Sequence, residues 1–516
     1  MMRTLIVIPL GLLFLVSSVQ GQAAEEPVQL TYGEVSGVAL ENGVTVFRGI
    51  PFAAPPVGSL RWRPPQPPIP WQGVRVADTF GPACIQRRAS LMSEDCLYLN
   101  VWTKAEAGQQ PLPVMVWIHG GGWSSGSTDR EIYDGSGFAD KGVVLVSVNY
   151  RMNAFGFMAH PALSEESERG VSGNYGILDH LAALEWVQQN IRSFGGDPGN
   201  VTIFGESAGG ASVYALLASP LAKGLFHRAI SESTWITSTN VTHLTRHNGF
   251  SASAEERGRR AVAAKLVELN QADDDDALAQ MRDLSANDIM AMEFSVSLAE
   301  DGWVLPKSPA EIFREGSHNV VPLLAGVNDG EGLLYVRPDR TFATLAEQRS
   351  ERLAEWGELG GGLADYYLAR TLDDLYTSEV DYHSDVRFVR GSREILTAMS
   401  KTSADTFMYV FTRNLRDPSE RAPHAMELRY VFQTLPADAP EVDQRISQLI
   451  SDYWVKFATS GDPNGAGLPP WAPYDAERQV YQVIGVDVEQ GAEFRRKELD
   501  ALDRYFVATY ESATGN

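Results

Sequence analysis

Val201-Thr202-Ile203-Phe204-Gly205-Glu206-Ser207-Ala208-Gly209 leads the chain out of an apolar, strand-forming run into a glycine-flanked serine, and 211–218 follows with helix-forming composition. This is G-x-S-x-G between a strand and a helix. A serine on so sharp a turn brings neighbouring backbone close, and only glycine fits beside it. The turn lifts the Ser207 hydroxyl into the open. As a bare pattern G-x-S-x-G is common in turns; the strand before it and the helix after it make Ser207 a candidate nucleophile.

Around this stretch, near-continuous apolar runs at 97–102, 114–118, 143–148, 321–327 and 406–412 suit strands buried on both faces. Helical patterns lie between them. The clearest is 178–194, where Leu181, Leu184, Trp186, Val187 and Ile191 recur on one face. Alternation of strand and helix predicts an α/β fold with a large, mostly parallel sheet covered on both sides. The proline-rich stretch 51–71 is neither helix nor central strand and predicts an ordered surface crossing. The segment 251–292 breaks the alternation and predicts a helical insertion that overhangs a pocket. Its run Asp273 to Asp276 lacks the spacing of a calcium loop and predicts a solvated helix edge or turn.

The chain has 516 residues, 44% hydrophobic and 21% charged, enough for one large core with insertions. A formal charge of -23 leaves no basic surface that gains from releasing phosphate counterions, which argues against nucleic acid. That acidity is first a solubility device, and steering of cationic substrates is its lesser explanation. Residues 1–24 have the pattern of a signal peptide, with Arg3, an apolar run at 5–16 and small residues to Ala24, so 25–516 is expected as a single mature domain, secreted or periplasmic. No later run is long and apolar enough to span a membrane. An oxidising destination predicts one disulfide between the two cysteines, Cys84 and Cys96, contributing about 3 kcal/mol on chain-entropy grounds.

A serine needs a base to take its proton. Of the nine histidines, those that follow the nucleophile late in the chain are the candidates, chiefly His383 and His424. His424 follows the strand run 406–412; His383 has no such strand before it. The acid that orients the base is expected after another strand, where Asn328-Asp329-Gly330-Glu331-Gly332 offers Asp329 and Glu331. Donors for a developing oxyanion are expected from His119-Gly120-Gly121-Gly122-Trp123, namely the N–H groups of Gly121 and Gly122, together with that of Ala208. His119 itself is expected to be structural. Trp123, Phe155, Trp235, Trp303 and Tyr335 are aromatic residues near loop ends, each as well suited to core as to substrate.

Together these residues resemble the type B carboxylesterase family, the cholinesterase-like branch of the α/β-hydrolase fold, over most of the mature chain. The resemblance runs through Phe47 to Ala53, Ser93-Glu94-Asp95-Cys96-Leu97-Tyr98-Leu99-Asn100-Val101, His119 to Trp123, Asn149-Tyr150-Arg151, Gly173-Asn174-Tyr175-Gly176, Phe194-Gly195-Gly196-Asp197-Pro198 and the serine turn. Gly326 to Gly332 resembles the family's acid loop and selects Glu331; Ala422-Pro423-His424-Ala425-Met426-Glu427 resembles its base loop and selects His424. The resemblance implies hydrolysis of a small-molecule ester through an acyl-enzyme, with no metal and no organic cofactor. Departures fall at Gly330 (usually aspartate), Ala425 (usually glycine), His180 (often glutamine) and Ile230 to Thr234, where Gln-Ser-Gly is usual. A non-catalytic adhesion member, an amidase and a cholinesterase are the rival expectations. The first would dispense with a nucleophile that is present here, and the last lacks an aromatic residue between Cys84 and Cys96.

Overall fold

The structure, a computed structural model, describes residues 26–514 except 90, 107, 237–240, 248–251, 271–276 and 403–404. The signal-peptide reading at 1–24 and the acidic run Asp273 to Asp276 lie outside the described residues. Eleven strands form one sheet: β1 (Val38–Ala39), β2 (Thr45–Pro51), β3 (Tyr98–Thr103), β4 (Leu112–Ile118), β5 (Val144–Val148), β6 (Gly196–Glu206), β7 (Arg228–Glu232), β8 (Leu323–Asn328), β9 (Thr406–Phe411), β10 (Val480–Ile484) and β11 (Val488–Ala492). The order across it is β11-β10-β9-β8-β7-β6-β4-β5-β3-β2-β1. The stretch from β10 to β5 is parallel throughout, and the antiparallel pairs lie toward the two edges.

Alternate residues of the central strands feed two separate cores, as the two-residue period of a strand requires. Val114, Val116 and Ile118 of β4 enter one; Met115 and Trp117 enter the other. The first core is closed by α1 (Tyr175–Asn190) and α2 (Ala208–Ala218), and the second by α3 (Glu441–Ser460), whose Ile446, Ile450, Tyr453, Trp454 and Phe457 face the sheet. Both faces are therefore covered, and strands rich in Val, Ile, Leu and Phe are what such burial selects. Six of these strands stand where the sequence predicts them; β7 and the β10–β11 hairpin were not foreseen.

Cys84 and Cys96 are joined as a disulfide. The described residues of 251–292 include the helices Ala254–Glu268, Ala277–Asp283 and Ala286–Met290. Arg61 donates to the Arg282 and Leu284 carbonyls of this segment, and none of its described residues lines the cavity at Ser207. Among the described residues no helix is long and apolar enough to cross a membrane.

The chain leaves β5 through Asn149-Tyr150-Arg151, and Arg151 anchors this exit. Its guanidinium and backbone N–H donate to Asp179 of α1 at 2.7–3.2 Å, while a further N–H reaches the Arg63 carbonyl in the proline-rich crossing. Both side chains are almost wholly buried. Removing one partner leaves an uncompensated buried charge, so Asp179→Asn is expected to lower stability by about 3–5 kcal/mol in denaturant unfolding. A loss under about 1 kcal/mol, the scale of an exposed pair, would contradict this account.

Candidate active site

The loops that matter all leave the C-terminal ends of parallel strands. The glycine turn follows β4, the serine turn follows β6, the acid loop follows β8, and the base loop comes after β9. Ser207 has φ 57 and ψ -118, a conformation that side chains rarely adopt. Close packing holds it there. A Cβ on Gly209 would lie 1.9 Å from the Ile118 carbonyl oxygen, and one on Gly205 would lie 2.6 Å from the same atom. The Ser207 N–H donates to the Glu232 carbonyl at 2.9 Å, which ties the turn to β7. The hydroxyl, with no hydrogen bond among the described residues, belongs to a residue in the wall of a cavity of about 920 Å³.

His424 belongs to the same wall. Its Nδ1 lies 2.5 Å from Glu331 Oε2, and its Nε2 lies 2.9 Å from Oε1 of Glu206, the residue preceding the serine. Phe388 packs on the imidazole with ring centroids 4.5 Å apart. Burial opposes the imidazolium, but the carboxylates of Glu206 and Glu331 outweigh it and hold the His424 pKa well above the ordinary 6.5. Glu331 is fully buried, and its other oxygen accepts from the Ser233 hydroxyl at 2.5 Å and the Asn328 N–H at 2.8 Å. Its competitor Asp329 braces the base loop instead, accepting the Ala422 N–H at 2.7 Å, and burial raises its pKa to about 6. His383 is not part of this wall. It sits beside Arg352 and Arg387, and burial followed by those charges lowers its pKa to about 4.

Gly121 (φ 108) and Gly122 (φ 64) need the freedom of glycine and line the cavity. Their N–H groups and that of Ala208, first residue of α2, have no acceptor among the described residues. A Cβ on Gly120 would lie 2.7 Å from a Glu206 oxygen and 3.1 Å from Ser207 Cβ, so the glycine turn and the serine turn are in contact. His119 stacks on Tyr150 and its Nδ1 lies 2.9 Å from the Gly120 carbonyl oxygen, with burial pushing its pKa down to about 4; it is structural, as expected. Of the aromatic candidates, Trp235 and Tyr335 line the cavity, Trp123 and Phe155 are core, and Trp303 stands beside Arg169.

A buried Glu–His pair and a serine thus meet at one cavity lined also by Gly121 and Gly122. A family model described as Carboxylesterase family matches residues 24–502. The chain belongs to the carboxylesterase family and is a carboxylic ester hydrolase. It is 37% identical to a fumonisin B1 esterase of Sphingopyxis macrogoltabida, over 89% of this chain and 86% of that one. It is also 37% identical to a liver carboxylesterase of Sus scrofa, over 95% of each. Among solved structures it is similar to the carboxylesterase EST55 of Geobacillus stearothermophilus, with TM-score 0.79, 34% identity and coverage of 92% of this chain and 99% of the other. The fold is thus the α/β-hydrolase fold of these carboxylesterases.

Within that family the departures of this chain acquire reasons. At Gly330, a Cβ would meet the Ala422 carbonyl oxygen and Leu333 at 2.8 Å, so the close seating of acid loop on base loop requires glycine. Ala425 stands at φ 63, where the usual glycine carries no steric penalty. His180 is buried edge-on against Tyr150, its pKa lowered to about 3 by burial. In the stretch from Ile230 to Thr234, Ser233 holds Glu331, while Glu232 accepts from Trp454 Nε1 at 2.8 Å.

Sequence reasoning missed Ser233, Glu206, Glu232 and Glu427 as parts of the site. Asn328 Nδ2 donates to the Pro423 carbonyl at 2.8 Å and to Glu427 at 2.5 Å, tying acid loop to base loop. Burial first, then the neighbouring carboxylates, raises the pKa values of Glu232 and Glu427, so both hold their protons more tightly than an exposed carboxyl. Removing the Glu206 charge lowers the His424 pKa. Glu206→Gln is therefore expected to shift the acidic limb of the kcat/KM–pH profile to lower pH, because the neutral imidazole then persists in more acid solution. An unmoved limb would show that Glu206 does not govern the titration of the base.

Proposed function

We propose that Ser207, His424 and Glu331 form a catalytic triad that hydrolyses carboxylic esters through an acyl-enzyme. The observation that carries this reading is the imidazole of His424, which spans 2.5 Å to Glu331 on one side and 2.9 Å to the residue beside Ser207 on the other. Nε2 turns from Glu206 to the serine hydroxyl as substrate enters, a tightening common between free enzyme and complex. His424 takes the proton of Ser207, the hydroxyl oxygen attacks the ester carbonyl, and the N–H groups of Gly121, Gly122 and Ala208 receive the oxyanion. His424 then returns the proton to the departing alcohol. Water, activated by the same imidazole, repeats the cycle on the acyl-enzyme and releases the acid. Glu331 fixes the imidazole's orientation and stabilises the imidazolium.

The reading extends to residues 25–516 as one catalytic domain. The disulfide between Cys84 and Cys96 supports an oxidising destination, secreted or periplasmic. Ser207→Ala is expected to lower kcat toward a short-chain nitrophenyl ester by on the order of a million-fold. His424→Ala is expected to do the same, while His383→Ala retains activity. Near wild-type turnover by the Ser207→Ala protein, or loss confined to His383→Ala, would remove this triad from the mechanism.

A further inference from the structure

The cavity at Ser207 has a charge opposite to that of the molecule. The chain carries 66 acidic against 43 basic residues, yet the charged side chains of this wall are Arg130, Arg337, Arg387, Arg416, Arg429 and, as its one carboxylate among the described residues, Glu206. Glu206 faces His424 rather than any of the arginines. All five guanidinium groups belong to exposed residues.

Outside the cavity some arginines pair with carboxylates and others, such as Arg445, do not, so what sets the cavity apart is the gathering of five arginines in one wall. Arg63 pairs with Glu166, Arg260 with Glu256, Arg478 with Asp475, and Arg496 with Glu493. None of the five cavity arginines has a carboxylate partner among the described residues. Their contacts are to uncharged groups. Arg387 lies over the Tyr335 ring at 4.1 Å with its Nε 3.4 Å from His383 Nδ1; Arg429 donates to the Thr434 carbonyl at 3.1 Å; Arg130 lies 5.8 Å from the Tyr133 ring. They come from separate segments before, between and after the loops that carry Glu331 and His424, so no single basic stretch of sequence accounts for the cluster. The turn Asp385–Val389 that presents Arg387 beside Phe388 is a π-helical turn, the kind of irregularity that re-aims side chains at functional sites.

Unpaired cations that converge on one concavity repel one another, and an anion relieves that repulsion. Guanidinium groups match carboxylate oxygens two at a time. A quaternary ammonium, by contrast, meets five like charges here. We propose that the natural substrate of this enzyme is an ester bearing one or more carboxylate groups away from the scissile bond, recognised by the arginine wall of the cavity. This rests on the serine-esterase mechanism above, to which it adds the class of substrate.

The test compares esters of matched size. 4-Nitrophenyl valerate is set against mono-4-nitrophenyl glutarate for a carboxylate on the acyl side, and 4-nitrophenyl butyrate against 3-carboxy-4-nitrophenyl butyrate for one on the alcohol side. In at least one pair kcat/KM for the carboxylate ester is expected to exceed that of its neutral partner by about tenfold or more at low ionic strength. The preference is expected to collapse in about 0.5 M salt, where charges more than a few ångströms apart are screened. The double variant Arg337→Gln/Arg387→Gln is expected to lower the anionic-to-neutral ratio at least about fivefold, and Arg445→Gln, on the outer surface, is expected to leave the ratio alone. Neutral esters hydrolysed as well as their anionic partners, with a ratio indifferent to salt, would overturn the proposal. So would a double variant in which both members of each pair fall by the same factor, the mark of a merely structural role. Failure to hydrolyse any of the four esters would instead overturn the serine-esterase mechanism itself, and the substrate class with it.

Discussion

The backbone at Ser207 is the constraint on which the rest of the site depends. Its positive φ is stabilised by nothing local; it persists because β4, β6 and α2 meet so closely there that only glycine fits at 205 and 209. This contact has several consequences. It starts α2 immediately after the serine and frees the N–H of Ala208. It presses the glycine turn after β4 against the serine turn, so Gly121 and Gly122 line the same cavity as Ser207. It also leaves the Ser207 N–H to be satisfied by Glu232 at the end of β7, which fixes the height of the turn relative to β8 and β9. Strain at one residue is thus offset by packing over four elements, as expected where a sparsely populated conformation sits at a reacting atom.

Beneath this turn lies an unusual concentration of acid. Glu206, Glu232, Glu331 and Glu427 are all at most 3% exposed. Four ionised carboxylates without water would repel strongly, and the solution here is unequal sharing of donors and protons. Glu331 takes the largest set of donors, namely Ser233, the Asn328 N–H and the imidazole. Glu232 and Glu427 have one donor each, Trp454 and Asn328, and their pKa values rise. The Tyr409 hydroxyl, buried with no hydrogen-bond partner among the described residues, is held firmly in its neutral form by burial first and then by the neighbouring glutamates. The negative charge that remains is concentrated where the imidazole can answer it. That arrangement resists the loss of a proton from the imidazole.

What was legible in the sequence follows from the range of each signal. Strands buried on both faces announce themselves through unbroken apolar runs, so the parallel β4, β5, β6, β8 and β9 and the antiparallel β3 were readable. Strand β7, Arg-Ala-Ile-Ser-Glu, is too short and too charged at its ends to look buried, and the β10–β11 hairpin mixes Gln and Glu with its apolar residues. Motif and context marked Ser207, chain order narrowed the base to His383 or His424 and the acid to Asp329 or Glu331, and the family resemblance selected His424 and Glu331; Ser207 and His424 share one cavity wall, with Glu331 against the imidazole. Ser233, Glu232 and Glu427 were not foreseen as partners, because a polar residue near a strand end is ordinarily solvated and only tertiary packing buries it. The helical nature of 251–292 could be read from composition. Where it docks is decided by the pairing of Arg61 with carbonyl groups far away in sequence, and that left no local trace.

Charge was the property most easily misjudged from composition, because net charge and local field act over different distances. At physiological ionic strength an exposed charge is felt over roughly 8 Å, so a total of -23 spread over the whole surface says little about the field inside one concavity. There the nearest groups dominate, and walls of low dielectric concentrate their field further. The arginines of the cavity wall are neighbours only because the acid loop, the helical segment after it and the base loop converge above the serine. Their common position is thus a consequence of the same convergence that assembles the site. The acidic exterior keeps the molecule soluble and repels anions weakly from a distance, while the interior of the cavity attracts them at contact. A substrate selected by such a field must carry its charge to the cavity wall before the ester reaches Ser207, so recognition and chemistry are separated in space but act on the same molecule.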